Sequence, residues 1–140
     1  MKAVEEFDRK NRLRGASTIT QQVAKNLFLW SSKNFIRKGL EAYYTFLLEL
    51  FWSKERIIEV YLNIAEMGPN TYGVSSAALY HFSKRAKTLN SDEAAYLAAI
   101  LPNPSRYKKN YRTSYISRRI SKIKNQMNLM GGEYYLRENL

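Results

Sequence analysis

Apolar residues return every three or four positions along most of the chain, which is the spacing of one face of an α-helix. The strongest such stripe predicts a helix from about residue 34 to residue 51. We expect its apolar positions to form one buried face: Ile36, Leu40, Tyr43, Tyr44, Leu47, Leu48 and Phe51. No convincing run alternates apolar with polar residues, so the pattern predicts an all-α fold.

Capping residues and helix breakers delimit the helix that precedes this stripe. Residues 18–21 fit a capping box, so a helix is expected to begin at Ser17 or Thr18 and to end near Leu29. The residues expected to face the core are Ile19, Val23 and Leu27.

Four further helices are predicted after residue 52. Ser53 is expected to cap the first of them, over residues 54–65, and residues 76–82 predict a short one. Ser91 is expected to cap the next, which should stop before Pro102, and the last should run from about Tyr111 to Met130 and close at Gly131. In the helix over 54–65 the expected inward residues are Ile57, Ile58, Tyr61 and Leu62.

Composition restricts the possible classes of protein. With 140 residues, the chain is expected to form a single domain over 1–140. It has no cysteine and one histidine, His81, which excludes a disulfide framework, a Cys/His zinc site and a cysteine nucleophile. The net charge of +11 favours an anionic partner: nucleic acid, a phosphorylated ligand or an anionic membrane.

One face of the first predicted helix carries hydrogen-bond donors and no carboxylate. Thr18, Gln21, Gln22 and Lys25 fall within one arc of a helix with 3.6 residues per turn. Amides, a hydroxyl and an ammonium suit a ligand rich in oxygen and negative charge, such as a phosphorylated sugar. The alternative is a polar face that contacts only water.

The second predicted helix adds Arg37, Lys38 and Glu41, whose spacing allows simple ion pairing within the helix. A carboxylate held beside cations at the edge of a site is the functional interpretation. Lys25, Lys33, Arg37 and Lys38 together could bind a diphosphate, because phosphoryl oxygens need several converging donors.

Four segments share their order and spacing with a known family. The segments "RGASTITQQVAKNLFL", "RKGLEA", "SKERIIEVYLN" and "YGVSSAALYHFSK" followed by "LNSDEAAYLAAILPNP" resemble the family 51 glycosyltransferase domain, and most of all its monofunctional branch. These enzymes are peptidoglycan glycosyltransferases (transglycosylases), which polymerise lipid II in cell-wall synthesis. The resemblance covers residues 14–104 and implies a lysozyme-like helical fold with a membrane-facing jaw.

The resemblance also implies a reaction and its residues. A sugar 4-hydroxyl attacks C1 of the growing glycan and expels undecaprenyl diphosphate with inversion. Glu41 matches the second catalytic Glu of the family, Lys25 matches a lysine on the donor diphosphate, and Lys33 stands where an arginine is usual. The remaining motif positions are expected to line the same groove: Ser17, Thr18, Gln21, Gln22, Asn26, Arg37 and Lys38.

The first motif of the family, Glu-x-x-x-Phe-x-x-His-x-Gly, does not occur in these residues. Its Glu is thought to deprotonate the acceptor hydroxyl, so we expect weak polymerisation or none from the 140 residues alone. We therefore expect a domain that is incomplete at its N-terminus and has lost the usual membrane anchor. Met1 would be an internal start or the start of a truncated form. The alternative function is that of a non-catalytic module that binds lipid-linked precursors.

Residues 94–132 contain no acid but many basic and tyrosine residues. This stretch could contact phosphates of nucleic acid or lipid headgroups, and we rank the lipid surface above nucleic acid. Expected partners are lipid II, the growing glycan, the anionic inner membrane at its periplasmic face and other cell-wall synthesis proteins. No cofactor is expected to be required, although a divalent metal ion could assist the leaving group.

Overall fold

The computed structural model describes residues 19–29, 35–108, 112–132, 134, 135 and 138. Six helices occupy the described ranges: α1 (19–28), α2 (Phe35–Phe51), α3 (Lys54–Ile64), α4 (Val74–Phe82), α5 (Ser91–Ile100) and α6 (Ser114–Leu129). Two short 3-10 turns lie at Ala86–Thr88 and Pro104–Arg106. In these ranges extended pairing is limited to one isolated antiparallel bridge between Glu66 and Tyr72. The all-α prediction is confirmed.

The chain divides into two compact units, Met1–Tyr61 and Leu62–Leu140. The expectation of a single domain over 1–140 stays a prediction. None of the helices in the described part of the chain has the length and apolar character needed to cross a bilayer.

In the first unit, α1 packs on α2 through one aromatic pair and one polar contact. The rings of Phe28 and Tyr44 stack with their centroids 4.7 Å apart, and the Thr20 hydroxyl donates to Glu49. The buried face of α1 consists of Thr20, Val23 and Ala24. The predicted face was partly wrong: Val23 is buried and Ile19 is half-buried, but Leu27 is 41% exposed.

The expected burial of the α2 stripe is confirmed only in part. Among the residues of α2 only Leu48 is buried, and Leu40, Tyr44 and Leu47 are half-buried. Ile36, Tyr43 and Phe51 are exposed, as are Phe35, Phe46 and Leu50. An apolar stripe predicts a helix face, but its spacing does not show how much of that face another helix covers.

α3 begins as predicted. The backbone N–H of Arg56 donates to Ser53 Oγ over 3.2 Å, which is the N-cap contact expected of this serine. Ile57 and Tyr61 are buried and Ile58 is half-buried, whereas Leu62 is 39% exposed and was wrongly assigned to the core.

In the second unit, α5 packs against α6, and Tyr96, Ile100, Ile116 and Ile120 are buried. The N-cap of α5 is Asn90 and not the predicted Ser91. Asn90 accepts from the backbone N–H of Glu93, and the Glu93 carboxylate accepts from the Asn90 N–H, both over 2.9 Å. Only Asn90 has a glutamate three residues later, which a capping box requires.

α6 begins later than expected, with Thr113 as its N-cap; Tyr111 lies outside the described residues. It ends as predicted, since Gly131 and Gly132 have φ of 85° and 60° and their N–H groups donate to the carbonyls of Asn128 and Met127.

Candidate functional site

The donor face of α1 is exposed along its described length. Gln21, Gln22, Lys25 and Asn26 are all exposed, and they lie opposite the buried Thr20, Val23 and Ala24. Lys25 forms no ion pair with another described residue. Ser17 and Thr18, predicted for the same groove, lie outside the described residues.

A hydrogen bond that was not predicted from the sequence joins the donor face of α1 to α3. The Tyr61 hydroxyl, on α3, donates to Gln22 Oε1 over 3.0 Å. Tyr61 was predicted as a core residue, and it is 7% exposed, but its hydroxyl reaches the donor face. Burial raises the pKa of Tyr61, so the phenol keeps its proton at neutral pH.

A second polar contact holds α1 from its buried side. The Glu49 carboxylate accepts from the Thr20 hydroxyl and from Lys54 Nζ. Burial alone would raise the pKa of Glu49, but these two hydrogen bonds and the charge of Lys54 outweigh it and lower that pKa. Glu49 is therefore ionised at neutral pH and bonds to both α1 and the first turn of α3.

The predicted site residues of α2, which are Arg37, Lys38 and Glu41, differ in their surroundings. Arg37 Nη1 lies 3.5 Å from Glu41 Oε2, and both side chains are mostly but not fully buried. Lys38 is exposed, and Lys33 lies outside the described residues. The structure pairs Glu41 with Arg37, and no hydrogen bond or ion pair joins the Glu41 carboxylate to a described residue of α1.

His81, in the second unit, is a packing residue. Its ring lies 4.8 Å from the ring of Tyr80 and 5.2 Å from that of Tyr96, both edge-on. Nε2 is 2.7 Å from the Met67 carbonyl oxygen, which can only accept, so Nε2 carries the proton. Burial lowers the pKa of His81, and the hydrogen bond to Met67 opposes this only in part.

A separate cavity of about 580 Å³ lies in the second unit, and none of the predicted site residues lines it. Its lining includes Asn103, Arg106, Tyr107 and Tyr115. In the described part of the chain no three His, Cys, Asp or Glu side chains cluster in a way that could hold a metal ion.

Comparisons with known proteins identify relatives over nearly the whole chain. The model of the transglycosylase family matches residues 1–128. A biosynthetic peptidoglycan transglycosylase of Pseudomonas syringae pv. syringae is 51% identical over 129 residues, which cover 92% of this chain and 55% of that protein. A protein of the same name from Pseudomonas putida is 53% identical over 129 residues, which again cover 92% of this chain and 55% of that protein. The chain thus spans about half the length of these relatives, and it belongs to the transglycosylase family.

Proposed function

We propose that this chain is the diphosphate-binding part of a peptidoglycan glycosyltransferase, which joins lipid II units into glycan strands and releases undecaprenyl diphosphate. The observation that carries the proposal is the exposed, carboxylate-free donor face of α1 in a member of the transglycosylase family. A departing diphosphate gains negative charge, and donors already in place stabilise that charge without having to reorganise.

Each residue of the donor face has a role that its chemistry suits. Lys25 supplies a full positive charge to the diphosphate, and the amides of Gln21, Gln22 and Asn26 donate to its oxygens or to sugar hydroxyls. On α2, Arg37 and Lys38 extend the positive charge. Ser17, Thr18 and Lys33 lie outside the described residues, and their part in the site stays a prediction from the sequence.

Glu41 is the proposed catalytic carboxylate among these residues. Its oxygen lies 3.5 Å from the Arg37 guanidinium, which is longer than a good hydrogen bond, and both side chains keep some exposure. A carboxylate held this loosely keeps lone pairs for a substrate hydroxyl or for a cation bound to the diphosphate. No cofactor is part of the proposal, and a divalent ion would act only by screening the leaving group.

The first experiment measures lipid II binding to the purified chain in detergent micelles, with Lys25→Ala beside Lys87→Ala. Both lysines are exposed, but Lys87 lies in the 3-10 turn of the second unit. Loss of a charge-assisted contact should weaken binding roughly tenfold or more for Lys25→Ala, while Lys87→Ala binds as the unaltered chain does. Equal binding by both variants would contradict the proposed donor face.

Turnover is tested on the same samples by resolving fluorescent lipid II products on a gel. Glu41→Gln should leave binding intact and remove any polymer that the unaltered chain makes, because the amide cannot act as a base. Binding without polymer in the unaltered chain would support a non-catalytic module that holds lipid-linked precursors.

We further propose that the exposed face of α2 contacts the anionic membrane that carries the substrate. Its exposed apolar residues are 58–94% accessible: Phe35, Ile36, Tyr43, Phe46, Leu50 and Phe51. Most lie on the side of the helix opposite Arg37 and Glu41, as in helices that lie in a bilayer interface. In the cell this surface would be the periplasmic face of the inner membrane, where other cell-wall synthesis proteins could join it.

Membrane contact is tested by sedimentation with phosphatidylglycerol vesicles. Phe46→Glu combined with Leu50→Glu should reduce binding at least tenfold, because both charges would enter the lipid interface. The control is Leu79→Glu, an exposed leucine of α4 in the second unit, which should bind as before. If the double variant keeps its helicity and binds vesicles unchanged, the α2 face does not contact lipid.

A further inference from the structure

A glutamine side chain has an oxygen that only accepts hydrogen bonds and an NH₂ group that only donates them. Which end faces a ligand decides whether the residue attracts or repels phosphoryl oxygens. The Tyr61 hydroxyl can donate or accept, and in the structure it donates to Gln22 Oε1 over 3.0 Å, which places the amide oxygen toward α3. The amide is planar, so with its oxygen held toward α3 the NH₂ group points away from that contact.

We propose that Tyr61 is a positioning residue, which holds Gln22 with its NH₂ group toward the ligand and makes the face selective for oxygen-rich anions. The ligand named here rests on the proposed function, but the orientation of Gln22 does not. Tyr61 itself is buried, so it acts on a ligand only through Gln22.

Contacts of α1 with α2 and α3 stabilise this orientation of Gln22. Thr20 bonds to Glu49 of α2 on one side of the helix, and Gln22 bonds to Tyr61 of α3. Two attachments to two different helices oppose rotation of α1 about its axis. The NH₂ group of Gln22 therefore keeps pointing away from Tyr61, even though the side chain is exposed.

The orientation is tested without any ligand by NMR of the chain labelled with ¹⁵N only at glutamine side chains. The sequence has three glutamines, so Gln21 and Gln126 serve as internal references. Tyr61→Phe should move the NH₂ signals of Gln22 toward those of a free amide and lower its heteronuclear NOE, leaving Gln126 unchanged. Tyr80→Phe is the matched control, since it removes a hydroxyl in the second unit. Unchanged Gln22 signals in Tyr61→Phe would overturn the inference.

The effect on binding is tested with inorganic diphosphate as the probe, in a double-mutant cycle. Tyr61→Phe should weaken diphosphate binding about three- to tenfold, the usual effect of one lost hydrogen bond. In a Gln22→Ala background the same change should have no further effect. Losses that multiply would show that Tyr61 acts independently of Gln22 and would overturn the inference.

The two proposals fail in different ways. If the unaltered chain does not bind diphosphate or lipid II, the proposed function fails, while the Gln22 signals still decide the positioning role. If diphosphate binds but Tyr61→Phe changes neither Gln22 nor the affinity, the inference alone fails. Circular dichroism on each variant establishes that it is folded.

Discussion

Glu41 and Gln22 differ in how far their surroundings could be predicted from the sequence. The pairing of Glu41 with Arg37 follows from a spacing of four residues on one helix, and the structure has that pair at 3.5 Å. The contact of Gln22 with Tyr61 joins residues 39 positions apart, and no local spacing encodes it. Contacts within a helix were therefore predictable, whereas those between helices depend on packing that the chain pattern leaves open.

His81 gives a pH prediction. Burial lowers its pKa below the usual 6.5, so the folded chain binds fewer protons here than the unfolded chain. This contribution to stability is complete above about pH 6.5 and is lost as the pH falls toward the pKa of the folded state. The free energy of urea unfolding should therefore fall more steeply from about pH 7.5 to 5.5 in the unaltered chain than in His81→Gln.

His81→Gln retains a neutral side chain with an N–H group that can donate to the Met67 carbonyl. Comparing this variant with the unaltered chain therefore separates the effect of the imidazole charge from the effect of packing. Equal slopes for the two proteins over this pH range would show that His81 does not titrate differently in the folded and unfolded states.

At the scale of helices, the positions were predictable from caps and breakers, but the buried faces were not. Ser53 and Gly131 lie at helix ends as expected. The apolar stripe of α2 correctly predicted a helix, yet it did not show which part faces another helix, because a surface that contacts lipid has the same residues as a core. The predicted groove residues before Ile19 and at Lys33 are outside the described residues.

The start of α5 gives a prediction that separates two neighbouring residues. Asn90→Ala should lower the free energy of unfolding by about 1 kcal/mol, since the alanine leaves the Glu93 N–H without its side-chain acceptor. Ser91→Ala should change it by less than about 0.5 kcal/mol. Denaturant titration of both variants at one pH measures the difference, and a larger loss for Ser91→Ala would restore the serine as the cap.

For the whole molecule, the net charge of +11 allows nucleic acid, a phosphorylated ligand or an anionic membrane as partner. Membership of the transglycosylase family makes the anionic membrane the partner to test first. On α6, Arg118 and Lys122 are exposed, while Lys124 is 3.0 Å from Asp92. Arg118 and Lys122 form no ion pair with another described residue, and such charges attract anions more strongly than a charge that already has a carboxylate partner.

We expect Arg118→Gln combined with Lys122→Gln to weaken binding to phosphatidylglycerol vesicles roughly thirtyfold, at about 1 kcal/mol for each basic residue near the surface. Lys124→Gln should have a smaller effect, and phosphatidylcholine vesicles should not distinguish the variants. Tighter binding to single-stranded DNA than to the vesicles, with a steep loss in salt, would instead indicate a nucleic-acid-binding protein.

The exposed apolar side and the charged side of α2 are separated by the thickness of one helix, about 10 Å with side chains. The polar layer of a bilayer leaflet is about 5–8 Å deep. If the apolar side is buried about 5 Å into the headgroup/acyl boundary, as in interfacial helices, Arg37 and Glu41 stand within the polar layer, near the lipid phosphates. A polyprenyl diphosphate could then remain in its leaflet while its phosphates are bound, and the hydrocarbon tail would never have to be extracted into water.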